Sequence, residues 1–192
     1  MTKGPQLLEP GVGPSKLHLA VMKPIFKLKA QLTSQKSLAK QYADHRRWII
    51  DTTRPLKEAQ KQKRILISPT RAIEDSSRFW SIYMTLEHLA TVEVGLTGII
   101  KDLTHGKKPS TVVRTEDVKP SANAGPQAEK AFISLTSRSS RQLKELPVER
   151  GGETHVHPWF GPMTAHQWLT LRTVHLSVHI AQIKKILREL RS

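Results

Sequence analysis

The chain has 192 residues, with 31 Lys and Arg against 16 Asp and Glu, nine histidines and no cysteine. That length suits one domain with a real core, and the formal charge of +15 favours anionic partners. The lack of cysteine excludes disulfides, thiolate metal sites and cysteine nucleophiles, so any metal must be held by nitrogen and oxygen.

Residues 1–14 include Gly4, Pro5, Pro10, Gly11, Gly13 and Pro14 and read as a loosely draped arm. Lys16–Leu32 is basic and apolar, carries no acid and is interrupted by Pro24. It is poorer in Arg and Ser than a transit peptide, so residues 1–34 are expected to form a basic arm or extra helix. Residues 35–192 then make up the domain proper.

Ser34-Gln35-Lys36 opens a helical run that carries Leu38, Tyr42, Ile49 and Ile50 toward Thr53. Pro55 suits the first turn of a continuing or restarted helix up to about Leu66, and Ser68-Pro69-Thr70 ends it. A second long helix is expected to begin between Ile73 and Ser77 and to stop near Thr104, before His105-Gly106-Lys107-Lys108-Pro109. Its apolar stripe, Met84, Val92, Leu96, Ile99 and Leu103, includes His88.

Residues 105–125 read as a polar loop. From Pro126 a third helix shows Ala128, Phe132, Leu135, Ser139 and Leu143 at helical spacing, ended by Pro147. Residues 147–163 form a Pro/Gly-rich connection, in which His155 and His157 have no predictable common face.

The last helix, from Thr164, carries Trp168, Leu171, Val178, Ile183, Ile186 and Leu190 inward. Thr164 and Gln167 have capping-box spacing, and Met163 can staple Trp168. His175 and His179 stand one turn apart within the same stripe. Two unpaired imidazoles in an apolar face are costly, and a shared metal ion would satisfy both. The plainer alternative is a pair of buried, hydrogen-bonded core histidines. With His88 from a second helix the pair acquires a geometry: three nitrogens on one face of an ion, other positions left open. Gln182 faces near the pair and can hydrogen-bond a ligand ring. Glu87 projects away from His88 and reads as a surface or interhelical residue.

These elements predict an all-α four-helix bundle with an extra N-terminal arm or short helix. No run approaches the roughly 18 apolar residues of a membrane span, so a cytoplasmic protein without membrane partners is expected. There is no G-x-S-x-G elbow, Walker A loop or G-x-G-x-x-G sequence, which argues against phosphate-loop and dinucleotide functions.

Trp80-Ser81 with Leu86-Glu87-His88-Leu89, then His157-Pro158-x-Phe160-Gly161-Pro162-x-Thr164, then Trp168 and His175-x-x-x-His179-x-x-Gln182 resemble the DinB/YfiT-like superfamily. The likeness is to its uncharacterised branch, where an H-P-x-F-G segment precedes the last helix. It spans about residues 35–190 and leaves the basic N-terminal segment outside. The resemblance implies a four-helix bundle with a divalent metal on His88, His175 and His179, and members with known activity are metal-dependent thiol transferases or isomerases. The residue before the last ligand is often histidine in such relatives and is Val178 here.

The leading expectation is therefore a metal-dependent enzyme, with thiol transferase or hydrolase chemistry on a small-molecule substrate. His157, Phe160 and Trp168 are candidate pocket walls, Gln182 is a partner of the ligands, and no catalytic side chain is assigned. Three imidazoles and water suit Zn, Ni, Fe, Co or Mn alike. A homodimer is the expected assembly. The alternatives are a non-catalytic basic protein that binds nucleic acid or another anion, and an oligomerising scaffold with a structural metal. Aromatics are not interleaved with the basic residues, so nucleic-acid binding should be weak, nonspecific and lost by about 0.2 M salt. Sequence-dependent binding above that ionic strength would instead favour the non-catalytic reading.

Overall fold

Serine caps set where several helices begin. The structure, a computed structural model, describes residues 5–70, 72–110 and 112–191. Gly4 of the expected arm and Ser192, the expected end of the last helical run, lie outside the described residues. Ser15 accepts a hydrogen bond from the His18 amide and opens α1 (Lys16–Leu32), and Ser34 does the same from Ser37 for α2 (Gln35–Thr53). The basic segment is thus a helix, which continues through Pro24.

The restart after Pro55 is only a short helix, α3 (Glu58–Gln62), and it gives way to β1 (Ile65–Leu66) before the expected end. A 3-10 turn at Asp75–Ser77 and β2 (Phe79–Trp80), antiparallel to β1, then precede α4 (Ile82–Thr104). The second long helix therefore starts later than Ile73–Ser77. Arg78 is the physical reason: it bonds back to Asp75 and to the Ile67 carbonyl, which closes the turn and holds the strand. Ser81, whose hydroxyl accepts from the Met84 amide, is the actual cap.

The 105–125 loop contains a 3-10 turn at Glu116–Val118, and α5 (Pro126–Lys144) follows with Pro at its first position. The Pro/Gly-rich connection is not wholly irregular. It folds into a hairpin of β3 (Thr154–His157) and β4 (Gly161–Thr164), with His157 opposite Gly161, whose φ of 76° suits glycine. The last helix, α6 (Ala165–Arg191), starts directly from β4. Half of its capping box forms: the Thr164 amide donates to Gln167 Oε1 at 2.9 Å, while the Thr164 hydroxyl is buried without a partner.

Helices α2, α6, α4 and α5 pack in that order around a ring, and α1 lies against α6. This is an all-α bundle. Its interior falls into two apolar clusters. One centres on Ile49, Leu86, Leu89, Phe132, Leu176 and Ile183, the other on Leu38, Leu96, Ile100, Leu143, Trp168 and Leu169. The layer between them is polar. There the Arg172 Nε donates to Glu93 Oε1 at 2.8 Å, the Tyr42 hydroxyl donates to Glu93 Oε2 at 2.8 Å, and the Arg172 guanidinium covers the Tyr42 ring. Among the described residues, no helix is long and apolar enough to cross a membrane.

Candidate metal centre

His88 on α4 and His175 and His179 on α6 meet in the space between the two helices. Their ligand atoms lie within 4.8 Å of one another. His175 Nε2 stands 3.1 Å from His88 Nε2 and 3.1 Å from His179 Nε2. Nitrogens that share one ion at about 2.0–2.1 Å are about 3 Å apart, so the spacing is that of ligands on a common centre.

Proton bookkeeping sharpens this geometry. His88 Nδ1 lies 2.7 Å from the Val118 carbonyl, which can only accept, so His88 carries its proton there and offers a lone pair at Nε2. Gln182 Nε2 donates to the Ser77 carbonyl at 2.8 Å, which turns its Oε1 toward His179 Nδ1 at 2.7 Å. His179 is therefore also protonated on Nδ1 and has a lone pair at Nε2. At most one proton, on His175 Nε2, remains for two facing lone pairs. A cation resolves that shortage, and the donor set is right for it.

Burial keeps the rings neutral. It pushes the His88 pKa down to about 4, against a weaker opposing pull from the Val118 carbonyl. Burial likewise holds His175 and His179 well below the usual histidine range, and in each case a neighbouring imidazole lowers it further. Neutral imidazole is the ligating form.

The partners that orient these rings come from the two 3-10 turns, one holding Ser77 and the other Val118. Lys119 ties the turns together: its ammonium donates to Glu74 Oε2 at 2.6 Å and to the Ser76 and Ser77 hydroxyls, each at 2.8 Å. Trp80, from β2, packs its indole parallel to the His179 ring at 6.2 Å and tilted over His88 at 5.1 Å. Helical periodicity in the sequence points to the three histidines and Gln182 but does not reach Val118, Ser77 or the Glu74–Lys119 pair. A backbone carbonyl leaves no side-chain signature, although Glu74 and Lys119 on either side of the helix could have suggested an ion pair.

The three histidines line a cavity of about 290 Å³. Its walls are mainly apolar and include Val92, Leu96, Ile99, Phe160, Trp168 and Leu171. His157, Phe160 and Trp168 thus stand where a pocket wall is needed, and Val178 lines it too. Gly95 also faces the cavity, with nothing within 4 Å of where a side chain would begin, so it leaves room. Leu171 packs against the second apolar cluster, as expected, and also borders this cavity, while Val178, expected in the core, is a half-buried part of the cavity wall.

His155 and His157 do share a face. Residues two apart in a strand point the same way, and both rings lie near Trp168, at 5.9 and 5.4 Å. His157 Nδ1 accepts from the Trp159 amide at 3.1 Å, which leaves its proton on Nε2, and burial pushes its pKa down to about 4. Glu87 is no part of the cluster: its carboxylate accepts from the Ser121 amide.

No curated protein matches this chain. The DinB superfamily does, over residues 55–183, a stretch that runs from the end of α2 through His179. With the bundle and the three converging histidines already in place, that match settles the ancestry: the chain belongs to the DinB superfamily.

Proposed function

We propose that the protein is a metal-dependent enzyme whose divalent ion is held by His88, His175 and His179, with an open coordination position facing the apolar cavity. The observation that carries this reading is the set of three Nε2 atoms converging with two lone pairs already fixed by Val118 and Gln182. A structural zinc site is usually closed by four protein ligands, and no fourth histidine, aspartate or glutamate joins the cluster among the described residues. An ion there would supply Lewis acidity, making a water or thiol a nucleophile near neutral pH, as hydrolase or thiol transferase chemistry requires.

The protein's own residues supply the rest. The apolar walls exclude water from the reacting group and bind a substrate with a nonpolar body. His157, neutral and protonated on Nε2, can present a hydrogen-bond donor to a substrate oxygen or sulfur in the cavity. The Glu74–Lys119 pair and Trp80 hold the rings in position.

Elemental analysis of protein purified without a metal-affinity tag tests the reading. About one equivalent of a divalent metal should be present at pH 7, or be taken up from Zn, Ni, Co, Mn or Fe salts. Protons compete with the metal for imidazole, and all three ligand pKa values lie below the ordinary 6.5. Retention should therefore stay flat as pH falls through 6 and be lost only further down, where His88, with its pKa of about 4, takes up a proton. Protein that neither carries nor takes up a stoichiometric metal would refute the proposal.

A further inference from the structure

Helix α1 lies outside the family match, which begins at residue 55, and it is organised differently from the rest of the surface. One face is docked. Phe26 and Ala30 are buried, Phe26 stacks on Phe160 at 4.5 Å, and the carbonyls of Ala30 and Thr33 at the helix end accept hydrogen bonds from Arg150. His166 Nε2 adds a third bond, to Thr33 O at 2.9 Å. The helix is thus held in one orientation.

Its opposite face is apolar and uncovered. Leu17, Val21, Ile25, Leu28 and Leu32 are between 54% and 79% exposed. At about 100° per residue they form one stripe roughly 80° wide. Scattered exposed aliphatics are ordinary, but five in a row along a single helix are not. Lys16, Lys23 and Lys27 run along one border of this stripe and His18 along the other, where Lys29 is half-buried and donates to Gln41, and the helix has no acidic residue.

We propose that α1 is a docking helix for an anionic lipid surface, with the stripe entering the headgroup boundary and the lysines meeting the lipid phosphates and carboxylates. The helix is too charged to span a bilayer, but an apolar stripe edged with lysine suits one lying in the interface plane, which departs from the expectation of no membrane partner. Charge decides between occupants. A second copy would bring lysine rows against lysine rows on a chain that already carries +15, whereas an anionic bilayer complements both the stripe and its borders. The inference rests on α1 alone and is independent of whether the histidines hold a metal.

The test is co-sedimentation of the full chain with sucrose-loaded vesicles, either of phosphatidylcholine alone or with about 30 mol% phosphatidylserine. The protein should pellet with the anionic vesicles and stay in solution with the neutral ones. The double variant Ile25→Glu/Leu28→Glu, checked for native helicity, should bind at least about tenfold more weakly. Arg47→Ala/Arg54→Ala changes the net charge equally, on α2 and just beyond it, and should bind within about threefold of wild type. Equal losses in the two variants would mean unspecific charge adhesion and overturn the proposal. So would a wild type that ignores anionic vesicles, which would leave the face to a protein partner. A wild-type dimer in sedimentation velocity that Ile25→Glu/Leu28→Glu dissolves would also overturn it, in favour of a second copy.

Discussion

His175→Ala is expected to lose the metal and keep the fold. His175 is the hinge of the cluster, since its Nε2 is the one that stands 3.1 Å from both other nitrogens. Without it, His88 and His179 remain as two ligands from different helices, and affinity should fall by roughly a thousandfold or more. The bundle does not depend on this ring. Leu176, Ile183 and Ile186 of α6 stay packed in the core, so the stability cost should be about 1–2 kcal/mol. Metal content and thermal unfolding, measured beside wild type, check both halves. Retained metal would mean the ligands are misassigned, and complete unfolding would make the ion a structural staple rather than a catalytic one.

The parts of this site that were legible in the sequence share one property: they repeat. His88 falls in step with Met84, Leu96 and Ile99, and His175 and His179 lie one turn apart beside Ile183 and Ile186, so periodicity alone turned them inward. Gln182 followed because it lies on the same helix. The missing parts are single contacts between distant segments. Val118 reaches His88 through a backbone carbonyl, and Ser77 reaches His179 only by way of Gln182. The hairpin that pairs His155 and His157 on one face has strands of four residues, too short for an alternating pattern to show. The late start of α4 likewise depends on Arg78 folding back on Asp75, a local side-chain choice that competes with helix propensity. One further signal lies in the α4 stripe itself. Glu93 sits in register with Leu86, Leu89, Ala90 and Ile100, which are all buried, and an acid in that stripe requires a buried cation.

That cation is Arg172, and removing its partner should cost the fold more than His175→Ala does. Glu93 and Arg172 are each 3% exposed, and they meet at 2.7 Å in the polar layer between the two apolar clusters. Glu93→Ala would leave a buried guanidinium whose remaining partners, among the described residues, are the Ser140 hydroxyl and the Tyr42 ring. It would also leave the Tyr42 hydroxyl without an acceptor, although burial keeps that phenol protonated well above its usual range. The expected loss is about 3–5 kcal/mol, or on the order of 10–15 °C in Tm for a chain of this size. Replacing the group together, as Glu93→Leu/Arg172→Met/Tyr42→Phe, should cost far less, because no charge is then stranded. Chemical denaturation of the two proteins distinguishes these outcomes, and equal losses would show that packing rather than charge dominates the layer. The pair has a second consequence. Glu93 lies on α4 just beyond His88, and Arg172 lies on α6 one turn before His175. The ion pair therefore fixes how far one helix slides along the other, which is the displacement that sets whether the three Nε2 atoms meet. Glu93→Gln, which keeps the shape but weakens the link, should fold and yet bind metal about 10- to 100-fold less tightly than wild type. Unchanged affinity in that variant would mean the helices hold their register without the charge.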